Sequence, residues 1–106
     1  MAYYKGMCYF NLKDYDKALK ELDVVVKNAS NEQAAEAKYT IAKIYYVKGN
    51  KKQAEKEGND YLDKFPSYQY YLGKTFILLS DIYKEDKKIL PSFTFLFYRL
   101  FPNSFH

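Results

Sequence analysis

Residues 6–22 read GMCYFNLKDYDKALKEL, and residues 42–58 read AKIYYVKGNKKQAEKEG. Four positions of the first stretch recur in the second at a spacing of 36 residues: Gly6, Tyr9, Ala18 and Leu22 correspond to Ala42, Tyr45, Ala54 and Gly58. A period of this length is typical of proteins built from stacked helix pairs, in which each pair buries its apolar face against the next. The sequence therefore predicts an all-α fold made of repeated units.

Composition agrees with a helical protein and bears on the kind of partner. The 106 residues include only 4 glycines and 3 prolines, so long helices are permitted. The formal net charge of +4 suggests binding to nucleic acid or to an acidic surface. Lysines nevertheless alternate with acids, as in Lys17, Lys20, Glu21 and Asp23, which is typical of a solvated helix face. We therefore expect no nucleic-acid binding, and a basic binding module remains the alternative.

Residues that could support catalysis or metal binding are scarce. Cys8, the only cysteine, is expected to be a small buried hydrophobic residue, and the only histidine is the last residue, His106. The sequence has no Gly-rich phosphate loop and no GxSxG or HExxH motif. Helical spacing and neighbouring lysines favour surface charges over an acid/base pair for Glu55, Glu57, Asp60 and Asp63. The sequence predicts a non-enzyme without catalytic, cofactor or metal residues, and an accessory segment of a larger enzyme is a further alternative.

Apolar residues recur at intervals of three and four and predict five helices, at about residues 2–12, 14–28, 31–48, 50–64 and 68–85. Gly49 is placed to adopt the left-handed conformation that ends a helix, and Pro66 stops the fourth helix. An N-cap side chain accepts a hydrogen bond from a free amide of the first turn. The expected N-caps are Asp14, Ser30 with Gln33, Asn50 with Gln53, and Ser67.

At these positions the chain resembles the tetratricopeptide repeat (TPR) family, whose unit is an antiparallel helix pair with small residues where the helices cross. The matching residues are Gly6, Tyr9, Asp14, Tyr15, Ala18, Leu22 and Val25, then Ile41, Ala42, Tyr45, Gly49, Asn50, Ala54, Tyr61 and Pro66, and finally Phe76, Leu79, Ser80 and Tyr83. The resemblance implies a right-handed α-solenoid of about five or six helices over residues 1–88, with units 1–30, 31–66 and a partial 67–88. Three residues depart from the pattern, because that family usually has large apolar residues in place of Ala2, Lys38 and Gly58.

The resemblance also implies a non-catalytic scaffold for protein–protein interaction. In TPR proteins the first helices of successive units line a concave groove that accepts a peptide or a partner helix. Carried over by position, the groove residues are Tyr3, Met7, Phe10, Asn11, Glu36, Tyr39, Lys43, Tyr46, Val47, Ile77, Asp81 and Lys84. Four aromatic residues among them would form an anchor strip, namely Tyr3, Phe10, Tyr39 and Tyr46. The alternative is that these aromatic residues cover a neighbouring unit.

Some family members hold a terminal carboxylate with a set of lysine and asparagine residues. That set is missing here, since Tyr3 and Met7 stand where it would begin. We therefore do not expect binding to the carboxyl-terminal tail of a chaperone.

Residues 89–106 form a divergent aromatic tail. They contain five of the eight phenylalanines, two of the three prolines and the only arginine, but no lysine and no acid. A membrane span is excluded because the segment is short and is interrupted by Pro91 and Arg99. One interpretation is a closing helix at about residues 92–101, and the other is a shift of the reading frame near residue 88, which the nucleotide sequence would test. Exposed phenylalanines would favour self-association.

The start of the chain carries no signal peptide, because residues 1–12 include Lys5 and Asn11 and lack an unbroken apolar core. The helical pattern begins without a leader or cap. We therefore expect an interior stretch of a longer array, and the family's members include cytoplasmic and bacterial cell-envelope proteins.

Overall fold

The computed structural model of the chain describes residues 1–85 and 99–100. Within these residues it contains five α-helices and no strand: α1 (Ala2–Asn11), α2 (Tyr15–Asn28), α3 (Glu32–Val47), α4 (Lys51–Lys64) and α5 (Gln69–Glu85). The predicted all-α fold is confirmed. The interpretations of the tail lie outside the described residues, except that residues 99 and 100 are helical. Arg99 donates hydrogen bonds to the Asp63 carboxylate and to the Asn59 carbonyl oxygen (3.2 Å), both on α4.

Helices that follow one another in sequence pack together, and the connections between them are only three or four residues long. Connections this short make consecutive helices run in opposite directions. In addition, α1 contacts α3 and α3 contacts α5, whereas α2 and α4, both fully described, do not contact each other. Helices α1, α3 and α5 therefore form one surface, which we call the odd-helix face.

The same backbone turn closes α1 and α3. Each turn contains two hydrogen bonds: Asp14 N to Tyr9 O (2.8 Å) and Lys13 N to Phe10 O (2.9 Å) after α1, and Asn50 N to Tyr45 O (2.9 Å) and Gly49 N to Tyr46 O (3.0 Å) after α3. These bonds satisfy carbonyl groups that the helix end leaves free. The predicted left-handed conformation of Gly49 is confirmed by its φ of 87°, and Lys13 adopts the same region with φ 63°. The 36-residue repeat therefore extends to the hydrogen bonds of the backbone.

Lys13 is a non-glycine residue in a conformation that suits glycine. We expect Lys13→Gly to stabilise the protein by about 0.5–1 kcal/mol, because glycine adopts a positive φ without a steric cost from Cβ. Lys20→Gly, at an exposed position in the middle of α2, is the control and should destabilise by about 1 kcal/mol. Urea unfolding of both variants tests this, and a Lys13→Gly midpoint at or below that of the wild type would contradict it.

Three of the four expected caps are wrong, and the first two of them belong to α2 and α3. Asp14 precedes α2, but its side chain makes no capping hydrogen bond and instead lies 3.6 Å from the Lys17 ammonium. The cap of α3 is Asn31 rather than Ser30, and the Asn31 side chain accepts from the amide of Ala34 (2.9 Å). Serine and asparagine are both good cap formers, so Ser30 and Asn31 could each fill this position. Asn31 fills it because α3 begins one residue later than expected, at Glu32.

The caps of the last two helices differ in outcome. Asn50 caps α4 as predicted, since its side chain accepts from the amide of Gln53 (3.2 Å). Ser67 does not cap α5, because it lies in the turn before the helix and α5 begins at Gln69. The first helical hydrogen bond there is accepted by the carbonyl of Tyr68, from Leu72.

Glycines allow close contact at two helix crossings. A Cβ atom added to Gly6 would lie 2.6 Å from Leu22 Cδ2, so α1 and α2 meet at this glycine. Gly58 occupies the position of Leu22 in the second unit, and a Cβ atom added there would lie 2.8 Å from Leu79 Cδ2 on α5. Gly58 departs from the family pattern because Leu79 of the next unit fills the space.

We expect Gly6→Ala to destabilise the protein by about 1–2 kcal/mol, because overpacking against Leu22 outweighs the higher helix propensity of alanine. The control is Gly73→Ala in α5, where an added Cβ atom meets nothing within 4 Å. This substitution should stabilise the protein by about 0.5–1 kcal/mol, because alanine has the higher helix propensity. Thermal melting of both variants measures the difference. Shifts of the same sign would show that packing at Gly6 does not limit the approach of α1 and α2.

Cys8 is exposed, so the prediction of a buried cysteine is wrong. Ile44, at the corresponding position of α3, is fully buried because α1 and α2 pack against α3. Within the described residues α1 contacts only α2 and α3, and nothing covers the side on which Cys8 lies.

Lys38 is a buried charge that joins α3 to α4. Its side chain is 7% exposed, and its Nζ lies 2.7 Å from the Glu57 carboxylate and 2.6 Å from the Asp60 carboxylate. Gln53 donates a further hydrogen bond to Glu57 (2.8 Å), and Lys64 pairs with Asp60 (3.1 Å). The interpretation of the α4 carboxylates as surface charges is wrong for Glu57, whose side chain is only 17% exposed because it faces the buried ammonium.

The ion cluster shifts the pKa values of its members. Burial by itself would lower the pKa of Lys38, but hydrogen bonds to Asp60 and Glu57 outweigh it and raise the pKa above its ordinary value of 10.5. Burial would raise the pKa of Asp60, but the hydrogen bond from Lys38 reverses this and lowers the pKa below 3.8. The contribution of Asp60 to stability is therefore present above pH 3.8 and is lost as the pH falls through the folded pKa.

We expect Lys38→Met to destabilise the protein by about 2–4 kcal/mol at pH 7, because it leaves Glu57 largely buried without its counter-charge. Lys64→Met removes the exposed partner of the same Asp60 and should cost under about 0.5 kcal/mol. The loss caused by Lys38→Met should become smaller below pH 3.8, where Asp60 is protonated in the unfolded state. Chemical unfolding at pH 7 and pH 3 measures both effects, and equal losses for the two variants at pH 7 would contradict the role of Lys38.

Candidate interaction surface

The twelve predicted groove residues all lie on α1, α3 and α5, the helices of the odd-helix face. Asn11, Val47, Ile77 and Lys84 are exposed, and the other eight are partly buried. Because alternate helices run in the same direction, their N-terminal ends lie at one end of the face and their C-terminal ends at the other. The side-chain contacts between the odd helices form one group at each end.

Glu36 links all three odd helices at the N-terminal end. The Tyr3 hydroxyl of α1 donates a hydrogen bond to the Glu36 carboxylate of α3, and Tyr71 of α5 lies close enough to feel the charge of the same carboxylate. The hydrogen bond to Glu36, together with burial, raises the pKa of Tyr3 to about 12. Burial, together with the charge of Glu36, raises the pKa of Tyr71 to about 12. The Tyr3 hydroxyl is therefore a protonated donor at neutral pH, and its hydrogen bond fixes the orientation of the ring.

Further tyrosines and one lysine pack around this carboxylate. The ring centroids of Tyr39 and Tyr71 are 6.2 Å apart, and Tyr70 meets Tyr71 edge-on with centroids 4.9 Å apart. The ammonium of Lys74 lies 5.3 Å from the centroid of Tyr39 and 5.3 Å from that of Tyr70. We call this group the tyrosine cluster; its members are Tyr3, Glu36, Tyr39, Tyr70, Tyr71 and Lys74.

Sequence reasoning missed three members of the cluster, namely Tyr70, Tyr71 and Lys74. It placed the contribution of the third unit at Ile77, Asp81 and Lys84, nearer the C-terminal end of α5. The available signal was the run of tyrosines at residues 68, 70 and 71, at the start of α5. Tyr39 packs against Tyr71 of the following unit, as expected if these aromatic residues cover a neighbouring unit.

A second group lies at the C-terminal end of the face. The Tyr46 hydroxyl of α3 donates a hydrogen bond to the Glu85 carboxylate of α5, which raises the pKa of Tyr46 to about 12. Lys51 pairs with the same carboxylate at 2.7 Å, and the Lys43 ammonium lies 5.6 Å from the Tyr46 ring centroid. These contacts hold the Tyr46 side chain of α3 against the C-terminal end of α5.

Some of the remaining predicted residues contact other side chains, and others are exposed to solvent. Phe10 packs against Tyr15 of its own unit, with ring centroids 6.2 Å apart, and the Met7 sulfur accepts a weak hydrogen bond from the Thr40 hydroxyl (3.9 Å). Val47 and Ile77 are 45% and 65% exposed. The face therefore combines tyrosines held by carboxylates with uncovered aliphatic side chains.

The described part of the chain, residues 1–85 and 99–100, contains no group of three or more His, Cys, Asp and Glu side chains that could hold a metal ion. Nor does it contain a helix long and apolar enough to span a membrane.

Comparison with protein-family models, with curated proteins and with solved structures found no match to this chain. The resemblance to TPR units therefore rests on residue types and their spacing in the sequence.

Proposed function

We propose that this chain is a segment of a TPR-like, right-handed α-solenoid that acts as a non-catalytic scaffold and binds a peptide or a partner helix on the odd-helix face. The observation that carries the proposal is the pattern of helix contacts. Alternate helices α1, α3 and α5 meet one another, whereas α2 and α4 do not. Such an arrangement gives one continuous surface built from the first helix of every unit, as expected for a solenoid with a binding face.

Two further features support a solenoid. The turn hydrogen bonds after α1 recur after α3 at the repeat spacing of 36 residues, so the first two units share their backbone geometry. The Cα atoms extend over 46 × 27 × 17 Å, which is the elongated shape expected of stacked units.

The side chains of the odd-helix face suit protein recognition. Tyrosine offers a large apolar ring with a polar tip and loses little conformational entropy when its hydroxyl is already held, as in Tyr3 and Tyr46. The exposed aliphatic residues Val47 and Ile77 supply apolar area for a partner segment.

Half of the lysines among the described residues are paired with acids, which weakens the nucleic-acid alternative. Seven lysines form ion pairs with carboxylates: Lys5, Lys17, Lys27, Lys38, Lys48, Lys51 and Lys64. A surface that binds phosphate groups needs unpaired cations on one face.

Selection from a random-sequence peptide display library tests the proposed function. We expect the selected peptides to lose at least about fivefold in affinity for Ile77→Ser and for Val47→Ser, since both truncate exposed apolar contacts of the odd-helix face. Lys52→Ser and Lys56→Ser, at exposed positions of α4, are the matched controls and should bind as the wild type does.

Two outcomes would contradict the proposed function. In the first, the selected peptides lose affinity for the α4 variants Lys52→Ser and Lys56→Ser but not for Ile77→Ser and Val47→Ser. The other is the absence of selectable peptides together with retention on DNA that weakens steeply with salt, which would support a nucleic-acid binding module instead.

A further inference from the structure

The contacts of Lys74 mark a place where the odd-helix face already holds a cation. Lys74 and Tyr70 lie one turn apart on α5, and Tyr39 approaches from α3. The Lys74 ammonium is 5.3 Å from both ring centroids, within the distance at which the electron-rich face of an aromatic ring attracts a positive charge. Two helices therefore contribute one ring each to the same ammonium.

No carboxylate in the described part of the chain lies within ion-pair distance of this ammonium. Among residues 1–85 and 99–100, Lys74 forms no ion pair, in contrast to the seven lysines that pair with acids. Tyr70 is 68% exposed, so its ring is open to solvent. The rings rather than a salt bridge hold Lys74, and a cation from outside can reach the same ring faces.

We propose that Tyr39 and Tyr70 form a cleft for an arginine side chain of the bound partner, and that Lys74 occupies this cleft when no partner is present. The inference rests on the proposed function, because the partner segment must lie on the odd-helix face. Arginine fits better than the resident lysine, since the planar guanidinium stacks on aromatic rings and is less strongly hydrated than an ammonium.

The surroundings of the cleft agree with a cationic occupant. Tyr71 packs against both Tyr39 and Tyr70, and the nearby Glu36 carboxylate adds negative charge beside it. Lys74 is attached through a flexible stem, and its ammonium regains water when it leaves. The displacement of Lys74 therefore weakens the affinity for arginine only slightly. Removal of the Lys74 side chain abolishes this competition and strengthens the binding of arginine.

The experiment uses a small cation, so that it does not depend on any partner protein. Acetyl-arginine amide is added to the full chain, and the aromatic ring resonances of Tyr39 and Tyr70 are followed by NMR. Acetyl-citrulline amide, which has nearly the same shape and no charge, is the control ligand. We expect shifts with arginine and not with citrulline, roughly threefold to tenfold tighter binding to Lys74→Ala, and weaker binding to Lys74→Arg.

Matched variants complete the test. Lys56→Ala removes an exposed lysine of α4 and should leave the arginine affinity unchanged, whereas Tyr70→Leu should abolish the response. Equal responses to arginine and citrulline, or equal affinities of wild type and Lys74→Ala, would overturn the inference. Library peptides that bind the odd-helix face without a cationic residue would overturn it too, while leaving the proposed function intact.

Discussion

The close approach of the two helices within each unit is the constraint on which the rest of the structure depends. Ala18 and Ala54, at corresponding positions of α2 and α4, are completely buried, and Gly6 meets Leu22 without a side chain of its own. Close axes allow connections of only three residues, and those connections reverse the chain. Only then can α1, α3 and α5 lie side by side and share one face.

Features that depend on local sequence could be predicted well. Helix ends follow from residues near them, so the five helices and the left-handed Gly49 were found from the apolar period and the turn residues. Caps were less certain, because neighbouring residues such as Ser30 and Asn31 compete for the same role. The positive φ of Lys13 could not be predicted from its residue type, because lysine does not favour this conformation. Only its correspondence with Gly49 in the repeat indicates it.

Features that depend on neighbouring units could not be predicted in the same way. Cys8 and Ile44 occupy corresponding positions, yet only Ile44 has another unit packed upon it. Lys38 is buried because two carboxylates of α4 face it, which no pattern within α3 indicates. The predicted groove residues lie on α1, α3 and α5, but the prediction left the tyrosine cluster incomplete, since its α5 members all precede Ile77, the first residue expected from that helix.

The contact between Gly58 and Leu79 has a consequence for how such units can be combined. Leu79 requires a glycine on the preceding unit, and the first unit carries Leu22 at that position. The third unit therefore packs on the second at a glycine that the first unit lacks, although the first two units share the same turns and spacing. Units that are alike in backbone thus differ in the surface that each offers to the next.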